Sequence, residues 1–305
     1  MTDMILHHYA TSPYSEKVRL GFGLKSLAWA SVEIPIIMPK PDLTALTGGY
    51  RKTPVLQIGA DIYCDSQLIM RELERRYPIP SLYPAGRGTA DALAWWAEKS
   101  MFSPAVGIVF AKTPDMLPEG FLEDRAKFSS RNIDPAALTA ALPYLLDQLR
   151  AHLDWLDGIL ADGRLFLQGD VAGLADLAPY HPLWFVTRNI RPTLPLLDRF
   201  PRVLAWAGRI AAIGHGMPGP MSSKEALAIA GAATPISNPM TDDDDPVGRQ
   251  PGQQVTVTPD DTGRDPVAGR LVTSDVHEIV IRRSDHAIGE VNVHFPRAGF
   301  VVGRA

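Results

Sequence analysis

The sequence holds a single cysteine, Cys64. An internal disulfide is therefore excluded, and a metal site built on several thiolates with it. No apolar run reaches the roughly 20 residues that a membrane-spanning helix needs. Charge of one sign is also scarce: 30 Lys and Arg face 34 Asp and Glu, a net charge of −4. That balance offers no strong field to nucleic acid or to an anionic membrane. Residues 1–8 lack the basic, apolar, small-residue order of a secretory leader. The expected compartment is the cytoplasm. No internal repeat is visible.

Apolar residues make up 46% of the 305 positions, enough for a real core and for two domains with a small third piece. Residues 4–9 read as a short strand carrying His7 and His8. Thr11-Ser12-Pro13 ends it and opens a helix, because Pro just inside a helix start is well tolerated. Val32 to Ile37 is the expected second strand, and residues 39–52 a loop or distorted helix. Two apolar runs, 55–58 and 61–64, flank Gly59-Ala60 and predict a hairpin. An amphipathic helix follows from Gln67 to Arg76. Pro78, Pro80, Pro84, Gly86 and Gly88 mark a linker.

Helical periodicity then runs from Thr89 to about Ile213, and Ser223–Ile229 suggests one more short helix. Residues 234–252 contain four prolines and the run Asp242 to Asp245, the pattern of a linker or exposed loop. Beyond it, residues 276–282 and 291–295 alternate as two strands of a hairpin. An isolated hairpin is marginal in water, so it must dock or add strands. The expected class is α+β. It comprises a β-α-β-β-β-α domain (1–80), an all-α domain (88–230), a linker (231–254) and a β-rich extension (255–305).

Three short motifs carry chemistry. Ser12-Pro13-Tyr14-Ser15 stands at the start of the first helix, Thr53-Pro54-Val55-Leu56 at a strand start, and Asp65-Ser66 at the start of another helix. Read singly, Ser12, Asp65 and Ser66 are ordinary helix caps, and Pro54 is an ordinary strand-leading proline. In this order and spacing they resemble the glutathione transferase family, over roughly residues 4–215. The resemblance implies a thioredoxin-like first domain, a helical second domain and glutathione as co-substrate. It also implies a cis bond before Pro54 that presents the backbone of Val55 to the ligand. Ser66 would then hold the γ-glutamyl carboxylate, and Asp65 the ligand's amino group.

Ser12 is the hydroxyl that the resemblance assigns to the thiol, with Tyr9 as the rival; Tyr14 is expected to pack against the helix. A free thiol has a pKa of about 8.5 and is only a few per cent thiolate at neutral pH. A hydroxyl donating to a charged partner contributes about 1.5–3 kcal/mol. A helix N-terminus adds about 0.3–1 kcal/mol. Together they lower the thiol pKa by roughly one to three. Serine in place of both cysteines of a redox motif excludes dithiol exchange at this site. Lys40, Arg51 and Lys52 are candidates for the glycyl carboxylate, or else solvated surface charges. Met101, Phe102, Val106 and Phe110 are candidates for the second-substrate wall, or else core.

Gly169 to Leu177 is similar to the family's buried capping motif, with Gly173 where Ser or Thr is usual. Asp176 would reach back to residue 173 as half of a capping box. No metal is expected: of His277, His286 and His294, two lie on expected strands without an acidic partner at clear ligand spacing. The expected activity is transfer of glutathione to an electrophilic small molecule, or glutathione-assisted isomerisation, in a homodimer serving detoxification. The alternative is a binding or regulatory protein of the same fold without transferase activity. The extension would either fold over the second-substrate pocket or form a partner surface.

Overall fold

The computed structural model describes residues 4–130 and 133–305. The first layer follows the expected order: β1 (Ile5–His8), α1 (Pro13–Leu24), β2 (Ala28–Glu33), α2 (Pro41–Thr47), β3 (Val55–Ile58), β4 (Asp61–Cys64) and α3 (Ser66–Arg76). β1 pairs parallel with β2 and antiparallel with β3, and β3 turns back onto β4. The second strand lies four residues earlier than its apolar run suggested. Ala28–Glu33 is the stretch that pairs with β1 and with a later strand, and Pro35, which has no N–H to give a ladder, follows its end. Residues 41–47 form a short helix with Pro41 at its first position and Gly48 in the left-handed region at its end.

The helical layer comprises α4 (Arg87–Trp96), α5 (Phe102–Lys112), α6 (Phe121–Ser129), α7 (Pro135–Ile159), α8 (Leu174–Asn189) and α9 (Pro201–Ala211). A π-turn over Ala97–Met101 joins α4 to α5. α8 is the central helix and packs against α1, α4 and α5. Its first turn rests on Asp176, which accepts the N–H groups of Gly173 (3.0 Å) and Leu167 (2.7 Å) and the Trp206 indole N–H (2.9 Å). The expected half capping box is therefore present. Gly173 has its own reason: a Cβ there would meet the Leu82 carbonyl at 2.7 Å. The Leu174 N–H donates to that same carbonyl, so the inter-domain linker crosses close against the helix start.

The chain then returns to the sheet. β5 (Met217–Pro220) pairs parallel with β2 at one edge. α10 (Ser223–Ala232) packs against α2, β2 and β9, so residues 217–232 sit on the sheet rather than among the helices with which the sequence reading grouped them. The extension supplies β6 (Gln254–Pro259), β7 (Val267–Ser274), β8 (Glu278–Asp285), β9 (Gly289–Pro296) and β10 (Phe300–Arg304). β9 pairs parallel with β4 in the register Asp61↔Asn292, Ile62↔Val293, Tyr63↔His294. One ten-stranded sheet results, in the order β10-β6-β7-β8-β9-β4-β3-β1-β2-β5. The hairpin thus gains its stability by continuing the first domain's sheet.

Two cores form, one on each side of the sheet. One joins Leu6, Phe22, Trp29 and Leu56 to the helical layer. The other joins Ile5, Val32, Val55 and Ile62 to Ala226, Ile281 and Val293 of the later segments. Each fully buried aliphatic side chain contributes about 1.5–3 kcal/mol. Asp61 locks the seam: it accepts from Asn292 (2.9 Å) and the Ile236 N–H (3.1 Å) and pairs with His294 (3.0 Å). Residues 234–252, expected as a linker or loop, are anchored there and by the Thr273 hydroxyl donating to Asn238.

Candidate functional site

The turn after β1 is built by a buried polar cluster. Arg19 donates to the carbonyl of Ala10 (3.1 Å) and to the His8 ring (3.1 Å), and pairs with Glu16 (2.6 Å). His215 holds the other oxygen of Glu16 (3.0 Å). Burial, with help from the Arg19 charge, lowers the His8 pKa to about 4, so this histidine is a neutral acceptor. The turn closes with the Ser12 N–H donating to Tyr9 (3.1 Å).

Ser12 is the N-cap of α1, and its hydroxyl oxygen accepts the Ser15 N–H (3.2 Å). The cap role leaves the hydroxyl proton to donate elsewhere, so capping and thiol activation are compatible. Tyr9 directs its hydroxyl toward Ser12 and Arg125. Burial raises its pKa above the usual phenol value, which keeps it protonated at neutral pH. Tyr14 packs on Phe102 (4.7 Å) and His181 (4.8 Å). Beneath it, the fully buried Lys17 pairs with Glu98 of the π-turn.

Asp65 caps α3, its carboxylate accepting the Gln67 N–H at 2.9 Å. Its φ of 72° is unusual for a residue with a side chain and costs about 1–3 kcal/mol. Such strain gathers where a backbone is held for a ligand. Ser66 follows, buried, as the first helical residue. The Thr53–Pro54 bond is cis.

A cleft of about 1010 Å³ gathers Tyr9, Ser12, Lys40, Lys52, Asp65 and Ser66. Pro54 and Val55 do not line it. The Val55 side chain is in the core, and Thr53 is the lining residue of that motif. Phe102, Val106 and Phe110 do line it, whereas Met101 is core. A second hollow of about 530 Å³, between α3 and β7–β9, contains none of the expected site residues. Among the described residues no group of three or more His, Cys, Asp or Glu could hold a metal. His294 is instead placed between Asp61 and Glu278.

Four lining residues have no sequence-level signal: Lys99, Arg125, Asp261 and Phe300. Asp261 lies in the β6–β7 loop and binds both Lys52 and Lys99. Gly263 of the same loop donates to the Phe128 carbonyl of α6 (2.7 Å). The extension is therefore a wall of the cleft. Lys52 is occupied by this wall. Among the described residues, the Lys40 ammonium has Thr53 Oγ1 (3.4 Å) and the Tyr9 ring (5.6 Å) beside it and no salt bridge. Burial, then repulsion from Arg125 and Arg51, lowers the Lys40 pKa to about 8. No helix among the described residues is long and apolar enough to cross a membrane.

A family model described as glutathione S-transferase, N-terminal domain, matches residues 6–82. One described as glutathione S-transferase, C-terminal domain, matches residues 119–209. The crystal structure of a GST-like protein from Pseudomonas syringae is 39% identical and covers 100% of both chains with a TM-score of 0.82. FtsZ-localized protein A of Caulobacter vibrioides (strain NA1000 / CB15N) is 24% identical over 179 residues, 57% of this chain and 72% of that protein. A theta class glutathione S-transferase from Xanthomonas axonopodis pv. citri, with glutathione bound, shares the fold at 19% identity and a TM-score of 0.50, over 70% of this chain and 93% of its own. The first of these relatives spans the extension as well as the two common domains. The two matched domains, the full-length relative and the shared sheet together establish that this chain belongs to the glutathione S-transferase family.

Proposed function

We propose that the chain binds glutathione in the large cleft and uses Ser12 to stabilise its thiolate for attack on an electrophilic small molecule. One observation carries this reading: a hydroxyl at the N-terminus of α1 shares one cleft with Asp65 and Ser66 at the N-terminus of α3. In this reading the sulfur lies at one helix N-terminus and the γ-glutamyl group at the other. Thr53, the residue of the cis-proline motif that lines the cleft, offers backbone groups to the cysteinyl part, and Lys40 offers its unpaired charge to the glycyl carboxylate. Tyr9, protonated, is the second hydroxyl available to the sulfur. The chemistry is nucleophilic and needs no metal. We place the protein in the cytoplasm as a homodimer serving detoxification.

The test is the ultraviolet thiolate absorbance of bound glutathione across pH, for the wild type and Ser12→Ala. The expected result is a bound thiol that ionises roughly one to three pH units below the free one, largely restored by the substitution. A second reading, a binding or regulatory protein of the same fold without transferase activity, draws on the likeness to a relative named for its localisation with FtsZ. It takes over where glutathione binds and its titration is unmoved.

A further inference from the structure

The roof of the cleft carries more positive charge than the glycyl carboxylate of glutathione would neutralise. Lys40, Arg51 and Arg125 all line it. The carboxylate among them is Asp124, paired with Arg51 at 2.5 Å and with Arg125 at 3.8 Å. Three cations against one anion leave a net charge of plus two in a partly buried space. Lys40 has no salt bridge among the described residues. In the glutathione reading, the glycyl carboxylate takes one of the two charges and falls to Lys40. The second faces the thiolate before reaction and is left without a counter-charge once the sulfur has become a neutral thioether.

That charge sits beside the reactive sulfur. Arg125 stands on α6, donates to the Ile36 carbonyl (2.9 Å) and faces the Tyr9 hydroxyl, which also faces Ser12. Its guanidinium plane is held by Phe121 (4.8 Å) and Phe128 (5.3 Å). Its Nε is buried without a hydrogen-bond partner. Around it the cleft is apolar and aromatic, with Val106, Phe110 and Phe185. A guanidinium in the wall of an apolar, aromatic slot suits a flat body that carries a carboxylate. A neutral hydrophobic substrate would leave the arginine partly desolvated with only a long pair to an Asp124 that it shares with Arg51.

We propose that the second substrate is an electrophile bearing a carboxylate, and that Arg125 receives that carboxylate next to the glutathione sulfur. The inference rests on the glutathione reading above and specifies its substrate class. For an aryl chloride acid the step balances without any redox partner. The thiolate sulfur forms a bond to the ring carbon, the carbon–chlorine bond breaks, and chloride leaves with the electron pair. The thiol proton has already gone to solvent.

The test compares 4-chloro-3-nitrobenzoate with 4-chloro-3-nitrobenzamide, which differ in charge and little in shape. Each kcat/KM is divided by the compound's uncatalysed rate with glutathione. The expected result is a preference of about tenfold or more for the acid at low salt, equal to about 1.4 kcal/mol. The preference shrinks as salt rises. Arg125→Gln abolishes it, and Arg125→Lys keeps part of it. Equal normalised rates in the wild type, or an Arg125→Gln loss equal for both compounds, would overturn the proposal. Calorimetry with the two S-aryl glutathione adducts gives the same answer where turnover is slow. If glutathione binds and the two adducts bind alike, this inference alone fails. If neither glutathione nor either adduct binds, the glutathione reading fails with it.

Discussion

Asp261 Oδ2 lies 3.0 Å from Lys99 Nζ, so a loop of the extension grips the helical layer at the mouth of the cleft. The other carboxylate oxygen holds Lys52, one residue before the Thr53–Pro54 motif. A single side chain thus ties together the first domain, the π-turn of the helical layer and the extension. Burial works against its ionisation, but Lys52 and Lys99 outweigh that and hold its pKa at about 2.

Asp261→Asn should loosen this wall more than it weakens the fold. The pair is partly exposed and screened, so the stability loss should be about 1 kcal/mol or less. Tryptic cleavage after Arg264 should become faster, because among the described residues the loop then keeps mainly the Gly263–Phe128 and Asp260–Gly299 backbone bonds and the longer Lys99–Asp260 pair (3.7 Å). An unchanged cleavage rate would mean that the ion pairs do not hold the loop.

Gly173→Ser brings the capping motif closer to the family pattern, yet it should destabilise the protein. A serine cap ordinarily stabilises a helix relative to poor caps. Here its Cβ would sit 2.7 Å from the Leu82 carbonyl and from Pro84 Cδ. Overpacking of this kind costs about 1–3 kcal/mol. Denaturant midpoints of the two proteins decide the matter, and a Gly173→Ser variant more stable than the wild type would refute the steric argument.

The seam between β4 and β9 should be pH-dependent. Burial opposes the charge on His294, but Asp61 and Glu278 prevail and raise its pKa. Its contribution is therefore full below about pH 6.5, the unfolded value, and fades as pH rises through the folded one. Asp61 is the mirror case: burial opposes its charge, yet the bonds from His294, Asn292 and Ile236 lower its pKa. Its contribution is present above about pH 3.9 and is lost as pH falls through the folded value. Tm should thus decline from mildly acidic toward alkaline pH more steeply in the wild type than in His294→Gln. Parallel Tm profiles would show that His294 titrates without consequence for docking.

Ser12→Asp should separate the two roles of this residue. Aspartate is as good an N-cap as serine, so folding stability should stay within about 0.5 kcal/mol. A carboxylate cannot donate to a thiolate and repels it. Bound glutathione, if it still binds, should therefore titrate near its free value. A normal depression of the thiol pKa in this variant would transfer the activating role to Tyr9.

Local patterns in the sequence reach as far as local structure does. The hairpin around Gly59, the Pro13 and Ser66 helix starts and the alternation of 276–282 are all set by neighbours a few residues apart. Pairing partners are not. Met217–Pro220 carries two prolines and no strand pattern, and becomes a strand because β2 offers an open edge. β7 falls outside the two alternating runs of the extension, and is a strand because β6 and β8 flank it. Ser12, Asp65 and Ser66 were legible because helix starts have chemical signatures. Arg125, Lys99 and Asp261 were not, since a lone charge on a helix or in a loop carries no mark of what it will face.

The sheet order has a consequence for synthesis. Asp61 and Asn292, bonded to each other, are separated by 231 positions. At about 5–20 residues per second, the ribosome needs roughly 10–50 seconds to deliver the second after the first. During that interval β4 is a bare sheet edge, a template for pairing with any other strand. The helical layer is thus a long insertion within one sheet, and the last strands serve as the closing flap of the first domain. A chain cut short before β9 would be a first domain left open along one side, exposed to self-association.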